Sequence, residues 1–185
     1  MPLPDVGLLA AGRTRLRAVQ ETDLADLLEV NGDPETTRFL PYDTWRGLED
    51  ARAWYQRMTG IVDGGTARQL VIERTSDHKV IGAALLFKHD AAAGSVELGY
   101  VLGRSWWRQG HASEAMGALC DHAFAALGLR RIEAQADVRN VASGALLRRL
   151  GFVHEGRRRQ CWVTRGQVCD ADVYGCLRED RAALG

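Results

Sequence analysis

The sequence predicts a mixed α/β (α+β) fold, a mostly antiparallel sheet with a central parallel strand pair and helices on both faces. Three observations predict it. Gln69 to Arg74, Val80 to Lys88 and Val96 to Leu102 read as strands separated by Ser76-Asp77-His78 and Ala93-Gly94, which are connections of hairpin length, so the three form an antiparallel meander. The apolar period then changes to 3.6, with Ala112, Met116, Leu119, Cys120, Ala123, Phe124 and Leu127 on one face of a long helix that closes at Gly128. Arg131 to Val138 is a strand again. A strand, helix, strand order requires a right-handed crossover, which makes Val96 to Leu102 and Arg131 to Val138 parallel neighbours.

The remaining elements follow in chain order. Arg13 to Val19 alternates as a short strand, and Thr22-Asp23 is placed to cap a helix whose Leu24, Leu27 and Leu28 share a face before Gly32 stops it. The turn region Phe39-Leu40-Pro41-Tyr42 follows. A second helix begins near Leu48, with Leu48, Ala51, Tyr55 and Met58 on its apolar stripe and Gly64-Gly65 at its end. After the meander, the long helix and the parallel strand, Val141 to Leu150 is a helix stopped by Gly151, and a hairpin from Phe152 to Leu177 completes the sheet. No internal repeat, linker or low-complexity tract divides the chain, which reads as a single domain over 1–185.

Composition narrows the function classes. The chain has 185 residues, 46% of them hydrophobic, and 24 basic residues balance 24 acidic ones. A domain of this size buries roughly 70% of its unfolded surface and needs no staple. Zero net charge argues against a protein whose main task is to neutralise phosphate backbones. No apolar run approaches the roughly 20 residues of a membrane span, and Met1 to Gly12 has neither a basic start nor a long apolar core, so a cytoplasmic protein is expected. Cys120, Cys161, Cys169 and Cys176 lack paired spacing, and no metal site is expected. A two-residue turn at Arg165 and Gly166 would set Cys161 opposite Asp170 and Cys169 opposite Trp162, and the thiols read as buried small apolar side chains.

The segment Gly103-Arg104-Ser105-Trp106-Trp107-Arg108-Gln109-Gly110-His111-Ala112 joins a strand to the long helix. A turn entering a helix presents unpaired N–H groups and the positive end of the helix dipole, which suits a phosphate. Gly110 and Ala112 let backbone approach an anion closely, and Arg108 adds charge. The same residues also suit an ordinary strand-to-helix turn, with Gly110 present for its backbone angles.

The run Val96-Glu97-Leu98-Gly99-Tyr100-Val101-Leu102, then Trp106 to Ala115, resembles the acyl-CoA motif of the GNAT N-acetyltransferase superfamily, in its RimJ/RimL branch of ribosomal-protein N-terminal acetyltransferases. The superfamily pattern is Gln or Arg, two residues, Gly, one residue, then Gly or Ala. Here Trp107 takes the first place, as is the habit of this branch, and Gly110 and Ala112 take the others. Asn140-Val141-Ala142-Ser143 followed by Leu150-Gly151-Phe152 is similar to the branch's Asn-x-x-Ser helix start and Leu-Gly-Phe exit. Glu155-Gly156, Asp172-Val173-Tyr174 and Leu177-Arg178-Glu179 match its closing hairpin. The order of Leu16-Arg17, Thr22-Asp23-Leu24, Asp33-Pro34-Glu35, Phe39-Leu40-Pro41 and Glu49-Asp50-Ala51 matches its N-terminal region.

The resemblance implies transfer of acetyl from acetyl-CoA directly to a primary amine, a protein N-terminal α-amine or a small-molecule amine, with no metal. By the same resemblance, Arg108, Gln109, Gly110, His111 and Ala112 supply phosphate donors. Val101, Leu102 and Gly103 pair with the pantetheine amides as an added strand would. Asn140 meets the cofactor from the neighbouring strand end. The chemistry needs a base for the amine, a stabiliser for the developing oxyanion and a proton for the departing thiolate. Glu97 is the expected base, acting through water; its other reading is a solvent-facing strand residue. Ser143 is expected to protonate or orient the thiolate, since Leu147 stands where many relatives carry a tyrosine. Helix capping is the other role open to Asn140 and Ser143.

Phe39, Tyr42, Trp45, Tyr100 and Trp162 come from segments that wall the acceptor cleft in this branch. The run Arg157-Arg158-Arg159 suits either a solvated strand edge or attraction of an acidic substrate or RNA. His122 and His154 are assigned nothing. A non-catalytic acyl-CoA sensor is the alternative function, an RNA-associated binder a third. Relatives often dimerise, which makes a homodimer the expected assembly to examine, and neither membrane nor nucleic acid is an expected partner.

Overall fold

The structure, a computed structural model, describes residues 1–183. The elements are β1 (Leu9–Ala11), β2 (Thr14–Ala18), α1 (Leu24–Asn31), α2 (Leu48–Asp63), β3 (Arg68–Arg74), β4 (Val80–Asp90), β5 (Ser95–Leu102), α3 (His111–Ala125), β6 (Arg131–Asp137), α4 (Val141–Arg149), β7 (Val153–Thr164), β8 (Gln167–Leu177) and α5 (Arg178–Ala182). All eight strands form one sheet in the order β1-β2-β3-β4-β5-β6-β8-β7, antiparallel throughout except for β5 and β6.

Alternation along the strands divides the apolar residues between two faces. Val96, Leu98 and Leu102 of β5 pack with Ala115, Met116, Leu119 and Phe124 of α3 and Leu147 of α4. Val71 of β3 and Ala83 of β4 pack on the other face with Leu24 and Leu27 of α1 and Ala51, Trp54 and Met58 of α2. Helices therefore cover both faces, the expected arrangement. The N-terminal segment, in which the sequence shows neither a basic start nor a long apolar core, adds the edge strand β1 and buries Leu3 and Val6 against the α3 face.

Three local expectations change. Asp23 does not cap α1 with its side chain: a 3-10 turn, Glu21–Asp23, leads into the helix, and the Asp23 carboxylate accepts from the Gln20 N–H at 2.8 Å and from Arg17. Leu48 begins α2 at 41% exposure, and Trp54 takes its place on the buried stripe. In the β7–β8 hairpin, Arg165 (φ +51°) and Gly166 (φ +73°) form the two-residue turn and Trp162 faces Cys169 as expected. Cys161 leaves the ladder because the register shifts between Arg158 and Trp162, with Gln160 at φ +49° and its N–H donated to Asp170 Oδ1. All four thiols are free; Cys120, Cys169 and Cys176 are buried and Cys161 is half-buried.

One ionic cluster ties β2 to β3. Glu73, with only 2% of its side chain exposed, accepts from Arg15 and from Arg17 at 2.5 Å each and meets His78 Nδ1 at 2.9 Å, while Arg17 also pairs with Asp23.

Candidate active site

The parallel pairing of β5 with β6 is short. It joins Ser95 to Arg131, Val96 to Ile132 and Glu97 to Glu133, and there it ends, although β5 runs on to Leu102 and β6 to Asp137. A gap therefore opens between the two central strands. Its β5 wall follows from ladder alternation. Gly103 donates its N–H to Ile81 at 2.8 Å, and a Cβ on Gly82 would lie 2.4 Å from the Val101 carbonyl, so the backbone groups of Val101 and Gly103 turn toward β4. Those of Tyr100 and Leu102 turn toward the gap. Of the three residues expected to pair with pantetheine amides, only Leu102 is oriented for it, and its carbonyl already accepts from the Trp107 indole at 2.7 Å.

Beyond Leu102 lies the turn into α3. Arg108 (φ +58°) and Gly110 (φ +88°) both adopt left-handed angles, which bend successive N–H groups into an anion-binding concavity. The helix's ladder opens with Glu114 N–H donating to Gly110 C=O at 3.0 Å, so the N–H groups of His111, Ala112 and Ser113 have no acceptor within the helix. Arg108 is exposed beside them. Gln109 contributes no free side chain, because its amide donates to Ser105 C=O at 2.8 Å. The His111 ring is buried against Trp106, with Nδ1 unpartnered; burial first, and then the charge of Arg13, pushes its pKa down. What His111 can offer an anion is its backbone N–H.

Arg13, which the sequence does not single out for this site, holds the turn in place. Its guanidinium donates to Gln109 C=O at 2.5 Å and pairs with Glu114 at 2.6 Å, while its N–H donates to the same carboxylate at 3.0 Å. No local pattern reveals a contact between residues about a hundred positions apart.

Glu97 sits where the pairing ends, on the α1–α2 face shared with Val101. Its side chain is only 10% exposed, which excludes the solvent-facing reading; it accepts from Lys88 Nζ at 2.7 Å and lies 3.4 Å from Gln135 Nε2. Lys88 reaches it from an irregular stretch of β4 where φ is +53°. On the opposite face, Ser143 Oγ and Tyr100 Oη are 2.8 Å apart, and burial pushes the Tyr100 phenol up to about 12. Asn140 is the N-cap of α4: its Oδ1 accepts from the Ser143 N–H at 3.1 Å. Capping uses the backbone of Ser143 and leaves its hydroxyl for Tyr100. Leu147 is fully buried.

The rings separate. Trp45 is core, packed at a tilt against Trp54 with ring centroids 5.4 Å apart, and the Tyr42 hydroxyl donates to Asn31. Phe39 lies under Arg38 and Arg139 at 5.2 and 5.7 Å, and Arg139 in turn pairs with the buried Asp137 at 2.6 Å. Arg165 ties the hairpin tip to the α1–α2 connection through Thr37 and Thr44, at 2.9 Å each. Trp162 is half-buried nearby on β7.

Comparison with known proteins gives a consistent result. Residues 13–153 match the acetyltransferase (GNAT) domain family. The chain is 32% identical over 170 residues to the "uncharacterized N-acetyltransferase p20" of Bacillus licheniformis, an alignment covering 92% of this chain and 96% of that one. Among solved structures, the fold is shared with a spermidine N-acetyltransferase from Vibrio cholerae in complex with CoA and spermine (TM-score 0.79, 19% identity, 92% and 98% covered). It is shared too with RimL, a ribosomal L7/L12 alpha-N-protein acetyltransferase (TM-score 0.82, 24% identity, 92% and 93% covered).

Proposed function

The chain belongs to the GNAT acetyltransferase family, and from that premise we propose how its residues divide the work of moving acetyl from acetyl-CoA to a primary amine. The reaction itself is that of an acetyl-CoA-dependent N-acetyltransferase. The observation that carries the assignment is the gap that opens beyond Glu97 and Glu133, with the α3 turn at its outer end and carboxylate and hydroxyl groups on its two faces. The residues suit acetyl-CoA: the left-handed angles at Arg108 and Gly110 point N–H groups at one concavity, and Leu102 keeps a strand-like N–H toward the gap.

Acetyl-CoA supplies the activated acetyl group. The N–H groups of His111, Ala112 and Ser113 and the charge of Arg108 hold its pyrophosphate, and Arg13 keeps the turn rigid. Glu97 takes a proton from the incoming ammonium through water on the α1–α2 face. The amine nitrogen bonds to the acyl carbon, the carbon–sulfur bond breaks, the Ser143 hydroxyl, held by Tyr100, gives its proton to sulfur on the α3–α4 face, and the second proton that the nitrogen sheds as the amide forms restores the hydroxyl through water.

Amine basicity sets the size of one expected effect. An α-amine near pKa 8 is about 10% free base at pH 7, whereas a lysine near 10.4 is about 0.04%, a difference of roughly 3 kcal/mol. With a peptide or amino-acid α-amine as acceptor, Glu97→Gln is expected to lower kcat roughly tenfold at pH 7 with acetyl-CoA affinity unchanged, and the defect closes as pH rises past the amine pKa. A defect that persists at high pH refutes the base role.

Ser143→Ala separates hydroxyl chemistry from capping, because the cap bond uses the backbone N–H that alanine retains. The expected result is turnover cut roughly tenfold to a hundredfold, with a stability loss no larger than the missing Tyr100 hydrogen bond, about 1 kcal/mol. Asn140→Ala, in contrast, removes the cap acceptor and costs about 1 kcal/mol of stability. Full turnover in Ser143→Ala would leave solvent as the proton source. The overall assignment is tested by assaying acetyl-CoA turnover across ribosomal N-terminal peptides, amino acids, polyamines and aminoglycosides. Tight acetyl-CoA binding with no acetylated amine would favour the sensor reading.

A further inference from the structure

The run Arg157-Arg158-Arg159 does not act as one basic surface, because strand alternation sends its members to different sides. Arg157 points to the α3–α4 face, where Asp172 neutralises it at 2.8 Å. Arg158 is paired in register with Ala171, and Ala171 with Asp137, so these three form one row across β7, β8 and β6. That row lies on the same face as Gln135 and Glu97, the face of the α1–α2 connection.

The contacts there form a chain. Arg158 Nη1 lies 3.4 Å from Gln135 Oε1, and Gln135 Nε2 lies 3.4 Å from Glu97 Oε2. Several other cations around this face are committed. Lys88 pairs with Glu97, Arg139 with Asp137 and Arg38 with Glu35, and Arg165 is held by the oxygens of Thr37, Thr44 and Pro34. Among the described residues, Arg158 has no carboxylate partner, and its only hydrogen bond is the long one to the Gln135 amide. It is exposed on the edge strand β7, which β8 and β6 separate from the gap.

We propose that Arg158 binds an anionic group on the acceptor, so that the acceptor class is a primary amine carrying a carboxylate a few bonds from the nitrogen. This rests on the reading that the amine meets the Glu97 side of the gap. A guanidinium one amide away from that carboxylate is placed for a two-point grip, with the amine at Glu97 and the carboxylate at Arg158. A polyamine or aminoglycoside would instead bring a second cation against Arg158 and Arg139. Gln135, with one end toward each partner, sets the spacing between amine and anion. The carboxylate can belong to a free amino acid or to an acidic residue at the second position of a peptide.

Matched acceptors test this at saturating acetyl-CoA. One pair is a peptide beginning Ser-Glu against the same peptide beginning Ser-Gln and Ser-Lys; the other is a free amino acid against its α-amide. The protein is expected to prefer the anionic member of a pair by at least tenfold in kcat/KM, mainly through KM, with the preference shrinking as salt is raised. Which pair shows the larger effect tells peptide from amino acid. Arg158→Gln should abolish the preference while leaving the neutral acceptor, acetyl-CoA affinity and Tm unchanged, and Arg158→Lys should restore part of it. Equal rates for both members, preference for the lysine peptide, or an equal loss on both in Arg158→Gln would overturn the proposal. The same pairs titrated into the CoA-loaded protein separate it from the catalytic reading. Anion-dependent binding without acetylated product keeps the Arg158 site and refutes the Glu97 mechanism. Product without anion preference does the reverse.

Discussion

Replacing Gly110 by aspartate is expected to weaken acetyl-CoA binding roughly a thousandfold, about 4 kcal/mol, while the protein stays folded. Two effects add. Gly110 holds φ +88° at the N-cap of α3, an angle that L side chains adopt only with strain, so any other residue there pulls the turn out of its anion-binding shape. A Cβ would also stand 3.1 Å from Arg13 Nη2, disturbing the guanidinium that fastens Gln109 and Glu114. Aspartate then places a negative charge where the N–H groups would meet the pyrophosphate. Gly110→Ala, which carries the strain without the charge, should fall between wild type and Gly110→Asp. Calorimetric titration checks the order, and equal affinity in a folded Gly110→Asp protein would remove the pyrophosphate from this turn.

The second large effect is on stability. Glu73→Ala is expected to cost about 3 kcal/mol and to lower Tm by roughly 10 °C, because it leaves Arg15 and part of Arg17 facing a buried position without their carboxylate. Burial by itself would raise the Glu73 carboxyl, but the hydrogen bonds from Arg17, His78 and Arg15 outweigh it and push it down to about 2, from an ordinary 4.5. A depressed carboxyl stabilises the folded state fully above the unfolded value, and that contribution is lost as pH falls from about 4.5 toward 2. The Tm difference between wild type and Glu73→Gln should therefore be constant at neutral pH and close across that acid window. A difference that stays constant to pH 2 would place the stabilisation elsewhere than in the ionised carboxylate.

The parts of the fold legible in the sequence are those written in local periods. The change from a period of two in Val96 to Leu102 to 3.6 after Ala112 is enough to place the crossover, and with it the parallel pair whose divergence opens the candidate site. Gly110 and the Asn140-Ser143 helix start are legible for the same reason, since turn and cap chemistry are local. What was not legible depends on distance or on a break in period. Arg13 reaches Gln109 and Glu114 across the whole meander, and Lys88 and Gln135 meet Glu97 from neighbouring strands. β1 is three residues long, too short to show alternation. The irregular ladder near Gln160 shifts Cys161 out of the register that an unbroken hairpin would give. The orientation of Val101 and Gly103 toward β4 follows from which residues of β5 bond to β4, a parity that the one strand does not reveal by itself. Trp45 shows the limit of reading rings by segment: it lies beside the Phe39 to Tyr42 turn and yet packs on Trp54 in the core.

Acetyl is expected to cross the gap between β5 and β6 to an amine on the α1–α2 face. The most direct measurement is a single-turnover reaction of the protein loaded with acetyl-CoA, mixed with an amine acceptor and resolved by mass spectrometry, in wild type and Glu97→Gln at two pH values. The expected result is one acetyl group gained per acceptor amine and one free CoA thiol released, with Glu97→Gln slower near neutral pH and matching wild type at alkaline pH. Release of CoA thiol without an acetylated amine, or acetylation that Glu97→Gln leaves unchanged at both pH values, would contradict it.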